Sequence, residues 1–421
     1  MFLDSIRMVI ALAVASFAVT YAVIPSDTWL TPAALSLASG VSALSFMGAA
    51  ALLGGRLRFV ETLFGGLDRM YLTHKHLGVF ALGFASFHLA FKAGLDSWDA
   101  ASILALPPFH TRLVRQLSFL ALMIIVMLAL NRKIRYSVWR WWHKCSGPLF
   151  VIVILHWLSI KSPVALDSPA GVWLAAWSAL GVGAAAYKLA LYPLLSSHAL
   201  YRVVDASPGP AAMHLVMVPV KGAITFTPGQ FGFLSMKEDG LREPHPFTIA
   251  SGGPADDAVH FVVRDLGDYT HKLLKQTTPG MHANIYAPFG RFSRPEAAHR
   301  EVWIAGGVGI SPFIAWLTDA AGQGFERVTL FYFYTPGREF PSASVLDELA
   351  RRRGAEFVAV SGGPSSPEFA QRFAQIARAG GPAALSVSFC GPKGLMSHIK
   401  AVMRETGVPS ANLRYEHFEF R

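Results

Sequence analysis

The chain has 421 residues, 52% of them apolar and 15% charged, and its mean hydropathy is positive. That length allows two or three domains, and so apolar a composition, concentrated in the first half, is unusual for a soluble protein. The net charge of +10 does not point to nucleic acid, because the basic residues gather at the ends of apolar runs rather than on one face.

The two cysteines, Cys145 and Cys390, lie in different halves without CxxC spacing, so they give no disulfide framework, thiolate metal site or iron–sulfur cluster. Six apolar stretches of spanning length precede residue 195: roughly 6–24, 32–53, 74–94, 113–130, 147–160 (extending back toward His143) and 171–193. The first has Arg7 ahead of an apolar run, as a signal peptide would, but no clean cleavage site follows and it reads as a retained span. Arg56, Arg58 and Arg69 lie between spans two and three; Arg132, Lys133, Arg135 and Arg140 lie between four and five. The opposite loops carry Lys92, Arg112, Arg115 and Lys161. The positive-inside rule then predicts cytoplasmic termini.

Spans three and five each carry two histidines, His74 with His88 and His143 with His156. Ionisable side chains inside a membrane are costly and mark function, and paired axial imidazoles hold b-type haem iron. Fourteen residues along a helix return to within about 40° of the starting face and rise about 21 Å, so His74 and His88 point the same way at two depths. The thirteen-residue step from His143 to His156 misses a common face by about 140° in a straight helix. Gly147-Pro148 lies between them, and an interior proline kinks a helix, so a bend there is predicted to align the two. His74 would then face His143, and His88 would face His156, as ligands of two stacked haems. A single such histidine could equally cap a span or bond a carbonyl; four at matched depths favour the metal. His76, about 200° round from His74, reads as a satisfied or interfacial residue, and His110, beside Pro107-Pro108, as loop. Cations near the span ends would pair with haem propionates or snorkel to headgroups.

After Pro193 the texture changes. Short alternating runs such as 213–218 and 259–263, punctuated by Pro-Gly at 208–209, 228–229 and 279–280, predict a small antiparallel barrel. From about residue 300, strands at 302–305, 328–334 and 385–390 alternate with helical patterns and predict an open α/β sheet. Gly306-Gly307-Val308-Gly309-Ile310-Ser311-Pro312 lies between a strand and a helix, where amides and a helix start favour phosphate. His245-Pro246-Phe247-Thr248 closes a barrel strand, and Arg264 with Gly267, Tyr269 and Thr270 offers a cation and an amide-rich turn for a diphosphate.

His-Pro-Phe-Thr, Gly-Gly-Val-Gly-Ile-Ser-Pro-Phe, Cys390-Gly391-Pro392 and the terminal Phe-Glu-Phe resemble the ferredoxin–NADP reductase module. Joined to a six-span bis-histidine domain, they resemble the NADPH oxidase and ferric reductase superfamily, particularly its short prokaryotic members. The resemblance covers nearly the whole chain and implies a multi-domain membrane protein of the bacterial inner membrane. Its parts would be a six-helix transmembrane di-haem bundle (1–195), a β-barrel FAD-binding domain (196–295) and an α/β, Rossmann-like NADPH-binding domain (296–421). By that likeness, His245, Pro246, Phe247 and Thr248 would hold the flavin and its nearby phosphate, and Arg264, Gly267, Tyr269 and Thr270 would complete the FAD site. Gly306, Gly307, Gly309 and Pro312 would bind the NADPH diphosphate, and Cys390 would lie near the nicotinamide. Phe420 would cover the isoalloxazine ring and move for hydride transfer, with Phe418 as a possible substitute.

The expected mechanism passes a hydride from NADPH to FAD and then single electrons through two haems to the far side. Thr335 and Arg338, after the second sheet strand, suit a 2′-phosphate and favour NADPH. The short outer loops, 95–112 and 161–170, show no metal-chelating cluster, which favours O2 as acceptor, giving superoxide. Ferric chelate, a periplasmic partner protein fed with electrons, and a proton-carrying transporter are the alternatives. Lacking EF-hand loops, the chain is expected to be constitutively active and to need no obligatory protein partner beyond the lipid bilayer.

Overall fold

The computed structural model describes residues 4–131, 133–210, 212–253, 258–295 and 299–416. The chain divides at Ser196 into two compact units.

The first unit is helical: α1 (Ser5–Tyr21), α2 (Pro32–Gly54), α3 (Arg58–Phe64), α4 (Leu67–Ala90), α5 (Pro108–Leu130), α6 (Tyr136–Lys144), α7 (Ser146–Ser159), α8 (Pro169–Ala186) and α9 (Tyr192–Leu195), with a π turn at Tyr187–Leu191 joining the last two. The starts are specified locally. The Asp4, Thr31 and Ser168 side chains accept hydrogen bonds from first-turn amides, and Pro32, Pro108 and Pro169 sit where a missing N–H costs nothing. His110 therefore lies in the first turn of α5, not in a loop, because Pro108 begins the helix ahead of it.

Each of the six apolar stretches falls on helix. Among the described residues, three helices are long and apolar enough to cross a membrane: Pro32–Gly54, Pro108–Leu130 and Pro169–Leu195. Of the others, α1 is shorter at 17 residues, and α4 carries Asp68, Arg69, Lys75 and three histidines along its length. The fifth stretch is split into α6 and α7. α2 is the axis of the unit: it packs along α1, α4 and α8, and Ala34, Ala38, Phe46 and Ala49 are fully buried on it. Small residues let the backbones close up. A Cβ on Gly48 would lie 2.6 Å from the Trp177 carbonyl, and one on Gly181 would lie 2.5 Å from the Phe150 ring. The Trp173 indole donates to Ser45 Oγ at 2.8 Å and Ser16 Oγ at 3.2 Å, tying α1, α2 and α8 together.

The second unit holds two sheets. β1 (His198–Gly209), β2 (Ala212–Pro219), β3 (Phe231–Met236), β4 (His245–Thr248), β5 (Val259–Arg264) and β6 (His282–Phe289) form an antiparallel sheet in the order β4-β3-β6-β1-β2-β5. An Ile249–Phe261 bridge brings its two edges together into a barrel, and α10 (Asp268–Gln276) crosses between β5 and β6. β7 (Arg300–Gly306), β8 (Val328–Phe333), β9 (Glu356–Val360), β10 (Leu385–Cys390) and β11 (Leu413–Tyr415) form a parallel sheet in the order β11-β10-β7-β8-β9. Helices α11 (Ser311–Thr318), α12 (Ala343–Arg352), α13 (Pro367–Gly380) and α14 (Lys393–Glu405) connect them. The first strand, β7, is central and the order reverses between β7 and β10, which is where such sheets bind ligands. The Trp316 indole of α11 donates to the Pro228 carbonyl at 3.0 Å and joins barrel to sheet.

One charged pair is locked inside this unit. Arg294 reaches Glu301 at 2.8 Å, with side chains 18% and 4% exposed, and Trp303 Nε1 donates to the same carboxylate at 2.8 Å. Removing one member of a buried pair strands the other, at about 3–5 kcal/mol. Glu301→Ala is therefore expected to lower the unfolding free energy of the full chain by that order in urea titrations followed by tryptophan fluorescence. Glu326→Ala, which breaks an exposed pair with Arg327, is expected to cost under about 1 kcal/mol.

Candidate functional site

α4 presents His74 and His88 to α6 and α7. The His74 and His143 rings face each other with centroids 5.8 Å apart and planes at 73°; His88 and His156 do the same at 6.3 Å and 74°. Two metal–imidazole bonds of about 2 Å each, with a ring radius of roughly 1.2 Å at either end, place centroids up to about 6.4 Å apart. Both pairs have the separation of two imidazoles sharing one ion.

The ring directions are fixed from α2. His74 Nδ1–H donates to the Ala50 carbonyl at 2.8 Å, and His88 Nδ1–H donates to the Ser36 carbonyl at 2.9 Å. Each bond commits one nitrogen and leaves Nε2 with its lone pair for a ligand. The Ser36 hydroxyl adds a bond to the Phe91 carbonyl at 2.7 Å, holding the end of α4. The residues beside these carbonyls are also matched. A Cβ on Gly40 would sit 2.8 Å from His88 Nδ1, and one on Gly54 would sit 3.7 Å from His74 Cε1. Ser36 and Ala50, like Gly40 and Gly54, are fourteen residues apart, the same step as His74 and His88.

His143 and His156 are aligned by a break, but not at Gly147-Pro148. The helix stops at Lys144 and restarts at Ser146. Pro148 has no N–H to bond the carbonyl four residues back, which is that of Lys144, so the irregularity appears one turn before the proline. Cys145 N–H turns back to the Trp142 carbonyl at 3.0 Å, and Ser146 Oγ donates to the His143 carbonyl at 2.7 Å. His76 is satisfied, as expected, by Ser5 Oγ at 3.0 Å. No group of three or more His, Cys, Asp or Glu side chains with metal-binding geometry occurs among the described residues. Near His74, Arg56 bonds the Tyr71 hydroxyl and Lys188 Nζ lies 3.3 Å from the Tyr192 ring centre.

In the second unit the expected residues converge from two sheets. Arg264, the last residue of β5, lies over the Gly-rich turn: a Cβ on Gly307 would be 3.1 Å from its Nη1, and Gly307 has φ +56°. Gly306, Gly307 and Gly309 form the tight turn between β7 and α11, with Pro312 inside that helix's first turn. Gly309 presses on the end of β10, where a Cβ would lie 2.2 Å from the Cys390 carbonyl and 3.0 Å from its Sγ. On the barrel, His245 stacks on Tyr269 at 3.7 Å and 18°, Pro246 pairs with Phe233, and Thr248 pairs with Phe231. Phe247 packs edge-on against Phe261. Thr270 Oγ accepts from the amides of Leu266 and Gly267 at 2.9 and 3.0 Å and shapes their turn. Burial pushes the Tyr269 phenol up, and the Glu243 carboxylate adds to it.

Thr335 and Arg338 stand exposed in the turn after β8. Phe418 and Phe420 lie outside the described residues. Sequence reasoning missed Glu416, a 5% exposed carboxylate that acts electrostatically on Cys390. It also missed the α2 residues behind the histidines, whose repeated fourteen-residue step was a readable signal.

Residues 39–154 match the model of the ferric reductase like transmembrane component, and residues 204–306 match an FAD-binding domain. The chain is 24% identical to a probable cell surface ferric reductase of Aspergillus oryzae over 76% of its own length and 46% of the relative's. It is 31% identical to the ferredoxin–NAD(+) reductase component of an alkene monooxygenase system of Xanthobacter autotrophicus, over 29% of this chain and 38% of that one. The chain spans 38% to 59% of the length of the first three curated relatives it matches. A flavohemoglobin from Malassezia yamatoensis shares the fold at a TM-score of 0.51 with 15% identity, over 96% of this chain and 99% of that one. A membrane domain joined to an FAD-binding reductase domain defines an electron-transferring flavoprotein oxidoreductase. Within that class, the two matched domains match the ferric reductase and NADPH oxidase-like family.

Cys390 is fully buried, and burial together with the Glu416 carboxylate pushes its thiol well above the ordinary 9.0. Its protonated form is favoured in the folded state, so its stabilising contribution is complete below pH 9 and is lost as the pH rises toward the raised value. Iodoacetamide labelling of the native chain at pH 8 is expected to leave Cys390 unmodified, as mass mapping would show. In urea at the same pH it should label fully; rapid native labelling would contradict the buried, neutral thiol.

Proposed function

We propose that the chain carries electrons across a membrane, from NADPH through FAD and two b-type haems to an acceptor on the far side. The observation that carries this reading is the pair of facing imidazole sets, each backed by a carbonyl of α2. With two imidazole donors at each position and no third ligating group among the described residues, a tetrapyrrole is the group that would complete the coordination of iron. A bound FAD would supply the change from hydride acceptance to one-electron release, and bound haems would supply one-electron transfer.

The residues divide the work. His74 with His143, and His88 with His156, would hold the two irons. Ala50 and Ser36 orient the α4 imidazoles, and the dense packing around α2 keeps water out. His245, Pro246, Phe247, Thr248, Gly267, Tyr269 and Thr270 would seat the flavin. Arg264 and the 306–309 turn would hold diphosphate, with Pro312 starting the helix whose N-terminus faces it. Cys390 would stand near the nicotinamide and Phe420 would cover the flavin until hydride transfer. Thr335 and Arg338, exposed in the turn after β8, would select the 2′-phosphate of NADPH. The loop charges favour a cytoplasmic second unit and cytoplasmic termini in a bacterial inner membrane, with no obligatory protein partner. O2 and ferric iron are both one-electron acceptors suited to the outer position.

Purified full chain is expected to show a reduced b-type spectrum with two haems per chain, and His88→Ala is expected to lose about half the Soret absorbance. Gly40→Val, which drives a side chain into His88, should lose the same haem. Gly183→Val, placed where a Cβ meets nothing within 4 Å, should keep both. Given NADPH and FAD, cytochrome c reduction abolished by superoxide dismutase marks O2 as acceptor, and dismutase-insensitive ferric reduction marks iron. NADPH oxidation that waits for an added protein favours a partner, and wild type without a Soret band sinks the proposal.

A further inference from the structure

Of the four facing imidazoles, two lack the support that α2 gives. His74 and His88 each donate from Nδ1 to a carbonyl, whereas the Nδ1 atoms of His143 and His156 are buried with no hydrogen-bond partner among the described residues. The outermost torsion of a histidine side chain is broad and roughly two-fold. An imidazole without that second bond therefore takes its plane from packing. His143 has a further difficulty, because it lies in the last turn of α6 and the helix ends one residue later, at Lys144. The backbone beyond it does not hold the ring either.

One contact supplies the missing restraint. Trp139 precedes His143 by four residues on α6, so the two share a helix face. Its indole lies nearly parallel to the imidazole, with 14° between the planes and 5.1 Å between the centroids, an offset stack of the kind aromatic pairs prefer. A stack occupies a face of the ring and leaves the edge that carries Nε2 uncovered. Turning the His143 ring out of its plane opens the stack, and that plane stands at 73° to the His74 ring. Trp141 and Trp142, on the same short helix, are exposed; Trp139 is the one of the three that turns to the site.

We propose that Trp139 is a positioning residue that fixes the plane of the His143 imidazole by face-to-face contact, and with it the crossed arrangement of the His74–His143 pair. The inference rests on the electron-transfer reading above for the metal between the rings. Crossed planes have an electronic consequence for such a metal. Each imidazole donates π density to the metal orbital perpendicular to its own plane, so parallel rings raise one orbital and crossed rings raise two together. Crossed rings thereby keep the two orbitals close in energy, which raises the largest g value of a low-spin ferric ion. The orientation that Trp139 imposes is therefore readable in a spectrum.

The test is electron paramagnetic resonance of the oxidised, haem-loaded full chain in nanodiscs, with haem content followed by the Soret band. Planes crossed at 73° and 74° predict a high largest g value for the whole wild-type signal. In Trp139→Leu and Trp139→Met, the half of the signal that belongs to one of the two sites is expected to broaden and move to lower g. Loss of that half together with half of the Soret absorbance, where the loosened ring releases its ligand, supports the proposal equally. Trp139→Phe, which restores a flat face, should keep the wild-type signal and haem content, and so should Trp141→Leu. Leucine and phenylalanine variants that match each other in g values and haem content overturn the proposal. A wild type that holds both haems without the high g value removes the crossed planes and overturns it as well. Either of those results leaves the electron-transfer reading standing, whereas a wild type without a Soret band sinks that reading and this inference with it.

Discussion

A buried imidazole needs a partner for each ring nitrogen, and α2 supplies one for His74 and one for His88 of α4, whereas the Nδ1 atoms of His143 and of His156 are buried without a hydrogen-bond partner among the described residues. A ring nitrogen left without a partner in a low-dielectric interior costs free energy, and a ring free to rotate holds a ligand poorly. α2 meets both demands for α4, giving each histidine one carbonyl to donate to, at 2.8 and 2.9 Å. The carbonyls are available because Ser36 and Ala50 lie on the face of α2 that α4 covers. The glycines at 40 and 54 leave room for the rings. Two helices with the same fourteen-residue step thus lie in register, and the pair of sites repeats along them.

On the reductase side, close backbone approach has the same part. Gly307 leaves the space that Arg264 covers, and Gly309 leaves the space into which the end of β10 presses. A cation from the barrel, an amide-rich turn from β7 and a buried thiol from β10 therefore meet where the parallel sheet reverses its order. Larger residues at either glycine would push these elements apart before any nucleotide arrived.

Much of this was legible in the chain. The six apolar stretches and the 14/13 histidine spacing are read directly from the sequence, and the cross-pairing of His74 with His143 and of His88 with His156 follows from helix geometry once a break in the fifth stretch is assumed. The position of the break did not, because a proline acts through the carbonyl four residues earlier; Lys144 and Cys145, not Gly147, mark the change. The supporting carbonyls were harder to see, since any residue supplies one and only packing reveals which is used. Glu416 was hidden for a related reason: its significance lies in burial beside Cys390, which sequence neighbours do not encode. Arg112, Arg115 and Lys161 read as loop charges bearing on orientation.

The donor count also constrains what the helical unit can hold. Each facing pair offers two neutral imidazoles, and no third acidic, thiol or imidazole group completes a metal cluster among the described residues. A bare divalent ion there would carry its full charge into an apolar interior, at a large desolvation cost. His74 with His143, and His88 with His156, would hold an iron ion, and a dianionic macrocycle would supply the counter-charge that the imidazoles do not. Basic side chains stand near the His74 end of the unit, with Arg56 held by Tyr71 and Lys188 over the Tyr192 ring. Facing neutral imidazoles with no third ligating group among the described residues are therefore suited to an ion that arrives with its own counter-charge rather than to a bare one.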